Sequence, residues 1–463
     1  MRRQIRIHVA PVLFAVVLVA GACSTSDPSG AGSPEHTASE VPDAADPTLS
    51  TAPESDRVDL VAPAFTDPTI VDNPLFPIGE LHSAVLLGNV DGHPLRIETT
   101  LLPEPEVIEI DGQQVETLVS QFVSYSDRRI HEVALDWYAQ ADDGSVWYFG
   151  EDVFNYEDGV VADTDGTWLA GRDGPVAMIM PADPQVGAVY RPENIPDSVF
   201  EEVTVTSVGM TVDGPRGPVQ GAIIGQELHL LEGYYEDKTF APGYGEFASG
   251  VDGDLEALAI AVPTDALTDP VPAELETLRH GAIDVLDAAA GGRWEAAATT
   301  LDAMSVAWAT HRAGHQVPPM LVIQMNHALG SLAGDALAPA VGARNSVGAS
   351  NACLDVLQAS LDLQLQYRPP AEIDRARFDR WARQLLVDTG GNEPEPGNIA
   401  GDVTTLEWIW DRIAHTVGDA EADEIGRQLE VLRTAADDED ATAAGAAARR
   451  LFDVVVELEP RPS

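Results

Sequence analysis

Residues 310–327, "THRAGHQVPPMLVIQMNH", gather side chains that ligate metals. His311 and His315 are four apart, so on a continuous helix their rings share a face. Met320, Met325 and His327 follow on the next apolar segment. Imidazole with thioether is a copper donor set, and imidazole with carboxylate suits zinc. His311, His315, Met320 and His327 are therefore candidate ligands for copper or zinc. The competing reading is structural. Gly314 and Pro318-Pro319 should end a helix near the histidines, and histidine at a helix C-terminus complements the dipole.

A second cluster, "VVADTDGTWL" (160–169), places Asp163 and Asp165 before Gly-Thr. The spacing resembles the nucleophile loop of haloacid dehalogenase-like phosphatases, in which the first Asp attacks phosphorus. That chemistry needs a parallel α/β sheet and a phosphate-facing lysine. Here the surroundings read as antiparallel hairpins, and the sole lysine, Lys238, lies in the turn-rich "YEDKTF". An acidic hairpin turn is the better reading. Such turns could bind Ca²⁺ weakly, but no twelve-residue loop supports a dedicated site. Cys353 sits in the apolar "ASNACLDVL" and reads as a buried thiol. No Ser-His-Asp order or nucleophile elbow is present, so the expected role is non-catalytic.

The third cluster is aromatic. "LDWYAQADDGSVWYFGEDV" (135–153) sets Trp137, Tyr138, Trp147 and Tyr148 around an Asp-Gly turn. Alternate strand residues share a face, so one face should enter the core and the other could form a binding platform. We expect one tryptophan of each kind. Gly144 should take positive φ in the turn.

These residues need elements to position them. Asp-Gly recurs at 91–92, 111–112, 143–144, 158–159, 165–166, 173–174 and 213–214, between short runs rich in Val, Ile, Thr and aromatics. This predicts an antiparallel meander over 57–262: a curved sheet, sandwich or half-barrel. Prolines 263, 270 and 272 mark a linker over 263–272. From 273 to 463 the period turns helical, with Leu354, Leu357, Leu361 and Leu365 on one stripe. About eight helices in hairpins form an all-α bundle. The fold class is thus α+β multidomain, and a cut in the linker is expected to leave two fragments that each fold.

The N-terminus reads as an export signal. Arg2, Arg3 and Arg6 precede the apolar "VAPVLFAVVLVAGA", and "VAGAC" ends it at Cys23. Residues 1–22 are expected to be removed and Cys23 lipidated. Residues 23–56 form a Ser-, Pro- and acid-rich tether with nothing to bury. The expected location is extracytoplasmic, anchored to the membrane through that lipid.

The formal net charge is −50. Nucleic acid is excluded as a partner, because phosphate contacts need a basic face. The acidity suits a saline exterior and also a GC-rich genome.

The hairpin "DWYAQADDGSVWYFGE", with "MPADPQVGAVY" (180–190) and "FAPGYGEF" (240–247), resembles a family of bacterial envelope lipoproteins of uncharacterised function. Their pattern is DWYAQ-x-x-DG-x-VWYxGE over about residues 70–250 here. The resemblance implies a secreted β-rich domain and carries no activity. Three roles follow: binding or assembly with an envelope protein or small ligand; copper or zinc handling by the helical part; and carriage of an apolar ligand by the β part.

Overall fold

In the computed structural model, residues 49–458 are described, apart from 91, 197, 252–253, 263–266, 268, 337–345 and 392. The export signal, Cys23, most of the tether and part of the 263–272 linker lie outside the described residues.

Asp-Gly turns and β-branched runs produce fifteen strands in chain order. These are β1 (Ser83–Val90), β2 (His93–Leu101), β3 (Glu106–Ile110), β4 (Gln113–Ser126) and β5 (Arg129–Gln140). Then come β6 (Val146–Glu157), β7 (Val160–Asp163), β8 (Trp168–Leu169), β9 (Ala177–Met180) and β10 (Val189–Ile195). β11 (Val199–Gly214), β12 (Gly217–His229), β13 (Tyr234–Ala241), β14 (Gly245–Val251) and β15 (Asp254–Ala261) complete them. All pair antiparallel in an open sheet of order β10-β11-β12-β13-β14-β15-β1-β2-β4-β5-β6-β7. β3 adds to β4, and β8 and β9 add to β6. The expected meander is present, with one addition: the last strand, β15, pairs with β1 and brings the ends of the β region together mid-sheet.

Eight helices follow: α1 (Ala273–Ala290), α2 (Trp294–Gly314), α3 (Pro319–Ser331), α4 (Ser346–Gln364), α5 (Pro370–Gly390), α6 (Pro396–Ile413), α7 (Asp419–Asp437) and α8 (Ala441–Leu458). Pro at the first positions of α3, α5 and α6 starts each helix with a preset φ. The fold class is α+β, a β-rich region followed by a helical one.

Both faces of the middle strands are buried, which is why "SAVLL" reads as one apolar run. Val85 and Leu87 pack with α1–α4 in one core. Ala84 and Leu86, one residue out of phase, face a second core with Phe247 and Ala259. Further along, Val123, Tyr125, Ile130 and Val133 join α5–α8. The two regions therefore share hydrophobic cores.

Charge also crosses this interface. Glu98 of β2 accepts from Arg412 of α6 at 2.7 Å and from Arg96 at 2.9 Å, with Arg377 of α5 at 3.7 Å. Arg96 donates twice to Asp362 of α4, at 2.6 and 2.7 Å. Burial alone would raise the Glu98 carboxyl, but Arg377, Arg96 and Arg412 hold it well below the usual range. A close backbone contact adds to this joint. The Gly159 turn (φ 74°) fits against Gly397 and Gly401, spaced one helical turn apart on α6. A Cβ on Gly159 would lie 2.1 Å from the Gly401 nitrogen.

Candidate ligand-binding site

The aromatic hairpin is scaffold on both faces. Trp137, Tyr138, Trp147, Tyr148 and Phe149 are all buried in one core, so the expected exposed tryptophan is absent. The reason lies in how the neighbouring strands pair. β6 carries a bulge at its Gly150 (φ 122°), opposite Trp137, which shifts the register between Asp136 and Tyr138. A Cβ on Gly150 would lie 2.2 Å from the Trp168 carbonyl, so glycine also admits β8 at that place. β8 and β9 then pair along β6, and their Trp168, Ala177, Met178 and Met180 join the core that buries the rings. Tyr138 stacks on Tyr148 at 4.8 Å, Tyr148 Oη donates to Asp136 at 2.8 Å, and Trp147 Nε1 donates to Ser145 at 2.8 Å. Gly144 has φ 92°, as the turn requires.

Behind these rings lies an acidic interior. Burial pushes the Asp136 carboxyl up to about 7 and the Glu246 carboxyl likewise to about 7. Both line a small cavity of about 120 Å³ with Tyr138 and Ser120. Glu193, pushed up to about 8 by burial and by Glu201, accepts from Trp168 Nε1 at 3.2 Å. Further in, His229 lies 3.2 Å from Glu201, 3.5 Å from Glu227 and 3.3 Å from Glu236. Burial opposes its charge, yet those carboxylates push the imidazole up to about 12. Lys238 Nζ reaches Glu227 at 2.5 Å. Lys238 is therefore in strand β13 rather than in the turn its neighbours suggested. Glu201, Glu227 and His229 have ligand atoms close enough for a metal. His229 and Lys238 already pair with these carboxylates, which makes the cluster an ion network.

The helical candidates separate. α2 ends at Gly314, between the two histidines. The His311 and His315 rings stack at 4.4 Å and 15°. Stacked rings hold their in-plane nitrogen lone pairs parallel, so they do not converge on one ion. Burial and His315 together lower the His311 imidazole to about 4. Among the described residues, His311, His315 and His327 form no three-ligand group. Asp163 closes a turn, accepting from Asn155 at 2.7 Å and from the Asp165 nitrogen at 3.1 Å. Cys353 is buried, and burial pushes its thiol up to about 12.

Met320 and His327 instead line a larger opening, a cavity of about 680 Å³ between β1, β2 and β4 on one side and α3, α4 and α5 on the other. That volume is in the range of small-molecule sites. Leu87, Tyr125, Ala328 and Trp381 supply apolar wall, with Tyr125 stacked on Trp381 at 5.7 Å. Arg96, Asp355 and Arg380 supply polar wall. Asp355 is engaged by Arg128 at 2.8 Å, and burial raises its carboxyl. Arg380 is 4 % exposed, and its Nε and Nη1 have no hydrogen-bond partner. Its guanidinium carbon sits 4.2 Å from the Trp381 ring centroid.

The sequence reasoning named neither Arg380 nor the cavity, yet a signal was there. Ile373, Arg377, Arg380 and Gln384 fall on one i, i+4, i+7, i+11 stripe of "AEIDRARFDRWARQLL". Arg377 and Arg380 are interleaved with the apolar Ile373, Phe378, Trp381, Ala382 and Leu385, and arginine repeated among apolar helix residues marks a charge taken into an interface.

No family model and no curated protein matches the chain. Among solved structures, the chain is similar to "a putative exported protein with YmcC-like fold" from Bacteroides fragilis. The two are 11% identical, over 39% of this chain and 95% of that one, with a TM-score of 0.21. A likeness of that score carries no argument about fold or function. No described helix is long and apolar enough to cross a membrane.

Proposed function

We propose that this chain is an exported, lipid-anchored envelope protein that binds a small ligand between its sheet and its helices. The observation that carries the binding role is the 680 Å³ cavity, walled by apolar side chains around a few fixed polar groups. It replaces the aromatic hairpin as the candidate site, since those rings are consumed by the core. A cavity of this size enclosed by two layers of secondary structure suits retention of a ligand better than turnover, and no nucleophile–base pair lines it.

The ligand reading is tested by native mass spectrometry of the purified chain. A mass increment is expected that disappears on denaturation, and Ala328→Phe, which fills the wall, should abolish it. An unliganded wild-type spectrum, together with no uptake of an amphiphilic fluorescent probe, would overturn it. The anchor rests on the basic, apolar and "VAGAC" segments. Two acyl signals suffice for stable anchoring, so Cys23→Ala should move the protein from the membrane to the soluble fraction. Unchanged membrane retention would place the anchor elsewhere.

A further inference from the structure

We propose that the ligand carries an anion, a carboxylate or phosphate, on an apolar body, and that Arg380 is its anchor; this rests on the cavity being the binding site. The buried ion layer beside the cavity is balanced without Arg380. Arg96, Arg377 and Arg412 face Glu98, Asp362 and Asp374, three charges against three, with contacts from 2.6 to 3.7 Å. Arg380 stands outside this set. The two acids whose charge acts on it make their ion pairs with other arginines, Asp355 with Arg128 at 2.8 Å and Asp402 with Arg129 at 3.0 Å, and neither hydrogen-bonds the Arg380 Nε or Nη1.

A buried guanidinium with unmade hydrogen bonds is costly. Trp381 gives it a face to stack on but accepts none of its N–H groups. Oxyanions match the planar donor fork of arginine, so an oxyanion entering the cavity would complete it. The other charged or titratable wall groups are Arg96, Glu98, Asp127, Arg128, Asp355 and His327. Of these, Arg96 and Glu98 are saturated by the ion layer. The two remaining carboxylates of the wall are already paired, Asp127 with His93 at 2.6 Å and Asp355 with Arg128 at 2.8 Å. Leu87, Leu95, Met320 and Ile323 offer apolar surface for the body of the ligand.

The experiment uses the full chain, stripped of endogenous ligand, with 11-(dansylamino)undecanoic acid and its methyl ester as probes. The acid should bind with enhanced fluorescence and the ester at least tenfold more weakly. Arg380→Met should weaken the acid by about 10- to 100-fold, the worth of hydrogen bonds to a charged partner, and leave the ester unchanged. Arg380→Lys should fall between, since it keeps charge and loses the fork. Arg380→Met should also raise the melting temperature of the ligand-free protein, because an uncompensated buried charge is removed; a merely structural arginine would lower it. If Arg380→Met does not fold, displacement of the acid from wild type decides. Dodecanoate and dodecyl phosphate should compete, and dodecanol should not. Equal binding of acid and ester, or an acid affinity indifferent to Arg380→Met, overturns the anion anchor and leaves the cavity reading standing. If neither probe binds wild type, the cavity reading itself fails.

Discussion

Glu98→Gln should loosen the whole molecule, helices and sheet together. The substitution keeps the shape and removes one charge from a layer of three arginines and three acids. Arg412 loses its 2.7 Å partner and keeps Gln121 at 2.5 Å, with Asp374 at 3.5 Å. Arg96 loses one of its two carboxylates and Arg377 one of its three. All of these groups are nearly inaccessible to water, so the excess positive charge is not screened. Breaking such a buried pair costs about 3–5 kcal/mol. For roughly 400 folded residues the unfolding entropy is about 0.8 kcal/mol/K, which converts 4 kcal/mol to a fall of about 5 °C in Tm. The assay is chemical denaturation followed by circular dichroism at 222 nm for the helices and in the near ultraviolet for the buried rings of the sheet. Because Arg377 and Arg412 belong to α5 and α6 and Glu98 to β2, both signals should shift by the same amount. The pH dependence supplies a second reading. Glu98 holds its proton less tightly when folded than when unfolded. Its contribution is therefore complete above about pH 4.5 and drains as pH falls toward its depressed folded value. Glu98→Gln should lack that acid limb. A variant within 1 kcal/mol of wild type, or one whose helical signal moves alone, would refute the coupling. It would also favour the expectation that fragments cut at 262–272 each fold.

Three further outcomes follow from the same geometry. Glu193 is raised to about 8, so the folded state binds more protons than the unfolded one between about pH 4.5 and 8 and stability should fall as pH rises through that window; Glu193→Gln should flatten this decline in Tm-against-pH scans, and an unchanged slope would show that Glu193 titrates normally. Gly159→Val should cost about 3 kcal/mol, combining a strained positive φ with a clash on Gly401, and a variant that denatures like wild type would mean that α6 can retreat. Trp137→Ala and Trp147→Ala should each cost about 3–5 kcal/mol, and a large difference in their denaturation midpoints would revive the notion of one core ring and one surface ring.

The strands were legible because Asp-Gly turns punctuate them at short, regular intervals, and the helices because leucines 354, 357, 361 and 365 keep a helical period. The occlusion of the Trp-Tyr hairpin was not, because it depends on Gly150 admitting β8 and on β9 pairing with the same strand, both non-local events. Pairing of β15 with β1 was hidden for the same reason. The acidic interior was not legible either: Asp136, Glu151, Glu193, Glu227 and Glu246 occupy polar positions of alternating strands, and alternation alone does not say which face meets water. The histidines drew notice by residue type, but a stacked pair at a helix end does not chelate. The cavity is a property of how two layers meet, and its trace in the chain is arginine interleaved with the apolar residues of α5.

The balanced layer also explains how an unsatisfied arginine can be held in place. A buried ion layer is weak evidence for stability, but it fixes the position of helices on a sheet. Arg377 and Arg380 are one turn apart on α5. Arg377 is locked by Asp374 at 2.9 Å and by Asp362 at 3.3 Å, so the rotation of α5, and with it the aim of Arg380, is set by carboxylates that do not touch the cavity. Binding sites depend on such supporting contacts as much as on the groups that meet the ligand. Asp362→Asn tests this. Asp362 is not among the lining residues, yet it accepts from Arg96 twice, from Arg377 and from Gln358. The amide keeps one acceptor and its volume while surrendering the charge. Affinity for the dansylated acid should fall about tenfold, with the ester unaffected, at a temperature where circular dichroism shows the variant fully folded. An acid affinity equal to wild type would mean that Trp381 alone holds Arg380, and that the ion layer serves only to dock the helices.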